Sequence, residues 1–308
     1  SDKHDFIRFM ANYDGIVLCK PDVEIDYAVD AGVNKPTIIY SGKAAYIEGQ
    51  EGTTYGTVQD AIDAANPGNT IIVMNGVHKE NIIIPENKAL TLEGESKNAV
   101  IQFDVATKNP VVQGTTTYYP IVYAQSNTTI SNLTIAGPTD QHHGIDGVLA
   151  TADLTMENVT IQDIRCTADG ADYCGVQTGR GVLAFGKGDV KISNCVVERF
   201  QKNAIDLNTT GNQTITDTII TGAGSQEIIA QNGIVIRQGN ATISNCTISD
   251  LIYAKNDPWA HGSVAIYPLE GVSVSLDNNT ISNTDSGVAM NGSVTGADTT
   301  NYEGGIYV

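Results

Sequence analysis

Residues 203–222 read NAIDLNTTGNQTITDTIITG, and residues 233–251 read GIVIRQGNATISNCTISDL. Each stretch holds a short apolar segment, a small polar turn, a second segment that ends in Ile-x-Asn or Ile-x-Asp, and a third brief segment. Apolar and polar residues alternate in these segments, which is typical of β-strands and not of helices. The two stretches therefore predict three short strands per repeat.

The same pattern extends in both directions along the chain. Four further copies are PIVYAQSNTTISNLTIAG (120–137), GVLATADLTMENVTIQDI (147–164), GVLAFGKGDVKISNCVVERF (181–200) and SVAIYPLEGVSVSLDNNTISN (263–283). Self-similarity with a period of roughly 20 to 35 residues indicates a solenoid. Three strands per coil, with successive coils hydrogen-bonded in parallel, predict an all-β right-handed parallel β-helix.

One helix is predicted at the start of the repeats. In TVQDAIDAAN (57–66), Thr57 is a suitable N-cap, and Val58, Ala61 and Ile62 fall on one face. Asn66-Pro67-Gly68 then ends the helix. A solenoid exposes an apolar core at each end, so we expect this helix to cover the N-terminal end.

The repeats also suggest how the chain divides. Residues 45–308 follow the β-helix pattern, whereas residues 1–44 do not and are predicted to form an extension or linker. The sequence ends within a repeat, after Gly-Gly-Ile-Tyr-Val. We therefore expect the C-terminal end to continue into, or pack against, another module or subunit.

The segment AYIEGQEGTTYGTVQDAIDAANPGNTIIVMNGVHKENIII (45–84) and the repeats after it resemble the pectin-lyase-like β-helix superfamily. The opening is similar to pectin methylesterases and to the β-helix modules of prokaryotic cell-surface and adhesin-like proteins. The latter are the closest in style. The resemblance implies the fold, whereas the function remains open, because one fold hosts many activities.

A ladder of Asn residues occupies one position of the repeat. Its members are Asn132, Asn158, Asn194, Asn245 and Asn278, with Asp217 in one copy. Asn tolerates left-handed backbone and bonds to its equivalents in adjacent coils, so we interpret the ladder as structural.

Four of the five cysteines can be considered as two pairs. Cys195 and Cys246 follow ladder residues, but the coil with Thr218 separates them by two rungs, or about 10 Å, which is too far for a disulfide. Cys166 and Cys174 share one predicted loop, and the sequence leaves open whether they are bridged or free.

Insertions enter the repeat mainly at one corner, between the last strand of one copy and the first strand of the next. They are residues 138–146, 165–180, 223–232 and 252–262. Loops at one corner of a solenoid stack along one edge. We therefore predict a ligand-binding edge that includes His142, His143, Tyr173, Arg180, Lys255, Trp259 and His261. An exposed Trp or Tyr suits a sugar ring, and Asp169 and Asp172 are candidate ligands for Ca²⁺, although no cofactor is certain.

Two enzyme motifs of the superfamily are incomplete. VLAFGKGDVKISNC (182–195) is similar to the pectin methylesterase stretch that begins with a catalytic Asp, but Val182 occupies that position. The paired Asp and the motif order of polygalacturonases are also absent from the sequence. For lyase chemistry, a basic residue is needed to remove a proton, and Arg180, Lys202, Arg237 and Lys255 are available.

The amino-acid composition limits the classes of partner that the chain is expected to bind. The chain has 17 Lys and Arg against 35 Asp and Glu, a formal net charge of −18, which argues against nucleic acid or an anionic membrane surface. No apolar run reaches the roughly 20 residues of a membrane span.

The sequence supports two functional hypotheses. The first is an extracellular or cell-surface module, structural or adhesin-like, that contacts a polysaccharide or cell-surface glycan along the loop edge. The second is a carbohydrate-active enzyme, a lyase or glycoside hydrolase, acting on an acidic polysaccharide.

Overall fold

A computed structural model describes residues 17–19, 38–40, 43–137, 144–166, 173–255, 262–297, 300–302 and 306–307. The described helix is α1 (Val58–Ala64). The strands in chain order are β1 (Val17–Cys19), β2 (Ile38–Tyr40), β3 (Ala45–Ile47), β4 (Thr54–Tyr55), β5 (Thr70–Val73), β6 (Gly76–Lys79), β7 (Ile82–Ile84), β8 (Leu90–Gly94), β9 (Ala99–Gln102), β10 (Val111–Gln113), β11 (Thr116–Ala124), β12 (Thr128–Ser131), β13 (Thr134–Ala136), β14 (Ile145–Ala150), β15 (Leu154–Glu157), β16 (Thr160–Gln162), β17 (Arg180–Gly186), β18 (Val190–Ser193), β19 (Val196–Glu198), β20 (Asn203–Thr209), β21 (Asn212–Thr216), β22 (Ile219–Gln226), β23 (Asn232–Ile236), β24 (Asn240–Ser244), β25 (Thr247–Tyr253), β26 (Val264–Pro268), β27 (Ser273–Asp277), β28 (Thr280–Thr284), β29 (Ser286–Ala289), β30 (Ser293–Thr295), β31 (Asn301–Tyr302) and β32 (Ile306–Tyr307).

The strands form three long sheets. Sheet A contains β3, β4, β5, β8, β12, β15, β18, β21, β24, β27 and β30; sheet B contains β6, β9, β13, β16, β19, β22, β25, β28 and β31; sheet C contains β7, β10, β11, β14, β17, β20, β23, β26, β29 and β32. From β11 onward each coil runs from sheet C to sheet A to sheet B, and adjacent coils pair in parallel. The predicted right-handed parallel β-helix is confirmed.

Within the predicted N-terminal extension, β1 and β2 pair with each other in parallel. The division at residue 44 stays a prediction.

The core is a set of apolar columns inside the three sheets. Ile192, Ile215 and Ile243 follow one another in register in sheet A and are all buried, as predicted. Inward and outward residues alternate along each strand because the side-chain period of a strand is two. A residue of sheet C that points outward therefore lies on a surface and not in the core.

Helix α1 covers the N-terminal end of this core, as expected. Thr57 Oγ1 accepts a hydrogen bond from the Asp60 N–H at 2.9 Å, and Val58, Ala61 and Ile62 are buried against the first strands. The Glu80 carboxylate accepts bonds from two further N–H groups of the first turn, at 2.9 and 3.0 Å. The helix is thus capped by its own sequence and by the first coil.

The Asn ladder is a set of left-handed corners between sheets A and B. All six residues have φ between 50° and 55°. Asn158 donates to Asn132 Oδ1 at 2.7 Å, and Asn278 donates to Asn245 Oδ1 at 2.8 Å. The structural interpretation of the ladder agrees with this geometry.

The cysteines separate as the repeat predicts. Cys195 and Cys246 are free and buried, with the Thr218 coil between them, whereas Cys166 and Cys174 form a disulfide with a Cα–Cα distance of 5.7 Å. We expect peptide mapping of the unreduced protein by mass spectrometry to find the link between Cys166 and Cys174. A peptide that links Cys195 to Cys246 would contradict the coil register.

Insertions lie at the corner between sheets B and C, as predicted. They connect β13 to β14, β16 to β17, β22 to β23 and β25 to β26. Several boundaries differ from the prediction. Residues 145–146, 180, 232 and 252–253, which were predicted as loop, belong to strands β14, β17, β23 and β25. Residues 223–226, predicted as loop, extend β22 through a bulge that lets this strand pair with β25 up to Tyr253.

Candidate functional site

A hairpin covers part of the outer face of sheet C. Strand β10 pairs antiparallel with the start of β11, which places Val111 opposite Tyr118. These two residues bury Leu149 and Leu183, which point outward from β14 and β17. Tyr123 and Phe185 pack at the border of this cluster. The outer face of sheet C therefore carries an apolar and aromatic patch in addition to the core inside.

A depression of about 260 Å³ opens beside this patch, and we call it the sheet C basin. Its lining comes from the hairpin and from three successive coils: Tyr118, Arg180, Leu183, Phe185, Asp206, Asn208 and Arg237. Asp206 points outward because Ile205 and Leu207, on either side of it in β20, point into the core. The residues of the basin are thus brought together by coil stacking and not by proximity in the sequence.

Asp206 is the centre of the basin. Its carboxylate accepts hydrogen bonds from Arg237 Nε at 2.5 Å, Arg237 Nη2 at 3.0 Å, Arg180 Nε at 3.0 Å and Asn203 Nδ2 at 2.7 Å. Burial alone would raise the pKa of Asp206, but the Arg237 hydrogen bonds, with Arg180 and Asn203, outweigh burial and lower it. Asp206 is therefore an ionised anchor for two arginines.

A second carboxylate lies beneath Arg180. Asp146 in β14 is fully buried, and its Oδ1 accepts a bond from the Arg180 backbone N–H at 3.0 Å. The same oxygen is 3.6 Å from Arg180 Nη1. Burial raises the pKa of Asp146 to about 6 even though Arg180 acts to lower it. Asp146 and Asp206 thus hold Arg180 from two neighbouring coils.

The groups around the basin give it a local positive charge. Lys202 lies close enough to Arg180, Arg237 and Asp206 to interact with them, and its Nζ donates to the Ala230 carbonyl at 2.7 Å. Burial, together with the two arginines, lowers the pKa of Lys202. At neutral pH these three cations outnumber the two carboxylates, Asp146 and Asp206, on a chain whose formal net charge is −18. The basin is a basic site on an acidic protein.

Aromatic rings complete the basin. The Tyr118 and Phe185 rings meet edge to face with centroids 5.4 Å apart, and the Arg180 guanidinium carbon is 5.6 Å from the Tyr118 ring centroid. Aromatic rings beside polar and charged donors suit a ligand that has both apolar faces and polar groups.

A larger depression of about 340 Å³ lies at the corner between sheets C and A. Its lining includes Thr91, Thr129, Thr155, Asn127 and Asp153, without an aromatic ring or a cation. The basin is the better candidate site because it combines rings, cations and buried carboxylates.

Of the predicted ligand-binding residues, Arg180 lies in the basin. Lys255 is exposed just after β25. His142, His143, Trp259, His261, Asp169 and Asp172 lie outside the described residues. Within the described residues, no group of three or more His, Cys, Asp or Glu is arranged to hold a metal ion.

The expectation that Tyr173 is partly exposed is wrong. Its side chain is 8% exposed, next to the Cys166–Cys174 disulfide, and its ring centroid is 5.3 Å from the Arg165 guanidinium carbon. The disulfide links Cys174 to Cys166 at the end of the preceding coil, and the Gln201 amide donates to the Cys174 carbonyl from the next coil. Tyr173 is part of that packing.

Gly179 has a specific role immediately before Arg180. Its φ of 87° lies in the left-handed region, and a Cβ at this position would collide with the Gln201 side chain. Only glycine fits here, because the backbone passes close to Gln201 of the next coil. Strand β17 begins at the following residue, Arg180.

Sequence reasoning missed Asp206, Tyr118 and Phe185 as site residues and considered Arg237 only as one of several available bases. A signal for Asp206 was present in NAIDLN (203–208), where a charged residue interrupts an apolar strand at an outward position.

Val182 occupies the sequence position at which pectin methylesterases have a catalytic Asp, and the structure shows where its side chain lies. Val182 is buried in the core, in register with Val148 and Ile205, so its side chain points away from the basin.

Comparison with known proteins identifies the repeat region. A family model described as a right handed beta helix region matches residues 112–251 and 180–302, which together make up more than half of the chain. A search of curated proteins found no match to this sequence.

Several solved structures are similar. A pectin methylesterase in complex with a hexasaccharide is 14% identical with a TM-score of 0.49, and the match covers 82% of this chain and 90% of that chain. The GH136 lacto-N-biosidase from Eubacterium ramulus is 13% identical with a TM-score of 0.47, over 85% of this chain and 53% of that chain. An alginate lyase from Paenibacillus sp. is 12% identical with a TM-score of 0.33, over 82% and 96%. This chain thus spans about half the length of the lacto-N-biosidase.

Proposed function

The chain belongs to the right-handed β-helix family, and on this scaffold we propose that the sheet C basin binds an acidic glycan. The observation that carries the proposal is the cluster of Arg180, Asp206 and Arg237 beside the Tyr118 and Phe185 rings. A pyranose ring offers an apolar face to an aromatic side chain, and a uronate carboxylate pairs with a guanidinium. The protein is in this view a cell-surface or extracellular module, structural or adhesin-like, that holds polysaccharide along one side.

Arg237 is the group that reaches the ligand. It commits Nε and Nη2 to Asp206, and its Nη1 makes no hydrogen bond within the described part of the chain. Its side chain is 37% exposed, compared with 12% for Arg180. We therefore assign Arg237 to direct contact with a carboxylate of the glycan and Arg180 to the wall behind it.

The loop edge borders the same side of the solenoid. The insertions at the corner between sheets B and C lead directly into the strands of sheet C, and Arg180 stands at one of these junctions. His142, His143, Trp259 and His261, which lie outside the described residues, and Lys255 stay predicted glycan contacts of these insertions. We also propose that Asp169 and Asp172 bind Ca²⁺. This proposal comes from the sequence and does not support the glycan site.

Replacement of Arg237 by methionine is expected to weaken binding of an oligogalacturonate by about tenfold or more, since a hydrogen bond to a charged group contributes roughly 1.5–3 kcal/mol. Binding is measured by isothermal titration calorimetry at neutral pH. The methyl-esterified oligomer, which lacks the carboxylates, should bind weakly to both proteins. The lysine variant, Arg237→Lys, keeps the charge and should retain intermediate affinity.

Arg199→Met is a matched control. Arg199 is 40% exposed and pairs bidentately with Asp163 at 2.9 and 3.0 Å, at the corner that follows sheet B. The two arginines therefore have similar exposure and each pairs bidentately with an aspartate, although Arg199 also pairs with Glu198. Equal losses of binding in both methionine variants would contradict a specific role for the basin, as would unchanged binding in Arg237→Met.

A lyase acting on the same polysaccharide is the second candidate. The observation in its favour is Lys202, whose lowered pKa suits a base that removes a proton beside a carboxylate. A two-carboxylate hydrolysis is less well supported, because Asp146 and Asp206 are both buried and both engage Arg180. The appearance of unsaturated uronate, followed by ultraviolet absorbance and abolished in Lys202→Met, would favour the lyase over the binding module.

No helix among the described residues has the length and apolar character needed to span a membrane. The proposed placement outside the cell or on its surface rests on the acidic composition and on the proposed glycan ligand.

A further inference from the structure

Asp146 occupies an unusual position behind the basin. It pairs in register with Pro120 of β11 on one side, and Arg180 of β17 follows on the other. Its Oδ2 and the Nη1 of Arg180 are both buried without a hydrogen-bond partner in the described structure. The pair is therefore in contact but incompletely satisfied, a state that is sensitive to whether the carboxyl group carries a charge.

Among the described residues, few charged groups face Asp146. Arg180 approaches from β17 and Asp206 acts from β20, one coil further on. Asp206 repels a second negative charge, and Arg180 attracts it. From β11, Pro120 contributes no charge. Among the described groups, burial and these two neighbours therefore govern the protonation of Asp146.

We propose that Asp146 is a positioning residue for the basin, whose ionised form holds Arg180 against β14 and whose neutral form leaves the basin more positive and better suited to an acidic glycan. The inference rests on the proposed function and adds to it a regulation by mild acid. At neutral pH the three cations face two carboxylates, and protonation of Asp146 removes one negative charge from this group.

The structure places this change in an accessible pH range. Burial raises the pKa of Asp146 to about 6, whereas Asp206 stays ionised because its pKa is lowered. A ligand carboxylate with an ordinary pKa of about 4 also stays ionised near pH 5.5. Acidification from pH 7.5 to 5.5 is therefore expected to change Asp146 alone among these three carboxylates.

The first measurement needs no ligand. The side-chain Nε–H resonance of Arg180, followed by nuclear magnetic resonance from pH 7.5 to 4.5, should shift with a midpoint near pH 6. The shift should be absent in Asp146→Asn. It should persist in the control Asp153→Asn, which changes an exposed aspartate beyond the end of β14. An Arg180 resonance that does not respond in this range would overturn the inference.

The second measurement is binding of the oligogalacturonate. The wild-type protein should bind about fivefold more tightly at pH 5.5 than at pH 7.5, the effect of one unit charge roughly 8–10 Å away in a partly solvated site. Asp146→Asn should bind at both pH values as the wild type does at pH 5.5. A variant that binds more weakly at every pH would indicate a merely structural Asp146 and contradict the inference.

The two proposals fail in different ways. If the Arg180 resonance shifts with a midpoint near pH 6 but the oligomer does not bind at any pH, the proposed glycan function is wrong and the coupling of Asp146 to Arg180 is supported. If the oligomer binds with the same affinity at both pH values, the glycan function stands and the acid regulation is wrong.

Discussion

Asp206→Ala is expected to lower the free energy of unfolding by about 3–5 kcal/mol and to abolish glycan binding. The carboxylate is 1% exposed and is shared by Arg180 and Arg237. Removing one partner of a buried ion pair leaves the other charge uncompensated, which accounts for the size of the loss. Arg237 can turn toward water, but Arg180 cannot, because it is 12% exposed and held on its other side by Asp146.

Asp163→Asn is the control for this prediction, because Asn tolerates the left-handed backbone that Asp163 adopts with a φ of 59°. Asp163 also pairs with two arginines, Arg199 through two hydrogen bonds and Arg165 at 3.2 Å, but it is 20% exposed. Surface ion pairs contribute about 0–1 kcal/mol, so this variant should remain close to the wild type. Urea unfolding followed by circular dichroism measures both variants. Similar losses for the two would indicate that burial of the basin does not control the energetics.

The effect of Asp206 should also depend on pH in a defined direction. Its pKa in the folded protein lies below the ordinary 3.8, so its stabilising contribution is present at neutral pH and decreases as the pH falls through that lowered pKa. Asp146 behaves in the opposite way. Its folded pKa of about 6 lies above 3.8, so its contribution becomes less favourable as the pH rises from about 4 to 6.

Ile215→Asp is expected to unfold several coils, with a loss of more than about 4 kcal/mol. Ile215 is fully buried between Ile192 and Ile243 in sheet A. The variant loses about 1.5–3 kcal/mol from burial of the isoleucine side chain, and the new carboxyl group must be desolvated without a partner. In a solenoid each coil contacts its neighbours, so the defect should spread to the adjacent coils first.

Ile219→Asp makes the same change only four residues later. Ile219 is 48% exposed on the outer face of sheet B, so the carboxylate stays in water and the loss should be within about 0.5 kcal/mol. Urea unfolding and limited proteolysis distinguish the two variants. Two equally stable variants would contradict the inward and outward assignment of these strands.

The fold was predictable because its determinants are local and repeated. Every coil carries the same alternation, the same left-handed Asn or Asp corner and the same place for insertions, so each copy supports the interpretation of the others. The capping helix was predictable for the same reason, since Thr57, the buried face and the Asn-Pro-Gly stop are contiguous. The separation of Cys195 from Cys246 followed from counting coils.

The basin was only partly predictable. Arg180 was recognised as an unusual residue at an insertion, but its partners were not. Asp146, Arg180, Asp206 and Arg237 come from four successive coils, and the Tyr118 ring reaches them from a hairpin outside the repeat. These side chains come together because successive coils stack in register. In the sequence they are separated by insertions of different length, so the sequence pattern does not show the contact.

The sequence by itself determined the three-strand coil, the apolar columns, the polar corners and the edge that carries the insertions, because period-two alternation and left-handed turns are properties of neighbouring residues. The tertiary structure alone decided that Tyr173 is packed beside a disulfide, that Asp146 is buried and that Asp206 holds two arginines. The contacts of Asp146 and Asp206 with the arginines join residues 26 to 34 positions apart, and the disulfide joins residues 8 positions apart. Desolvation and ion pairing at that separation exist only once the coils are stacked.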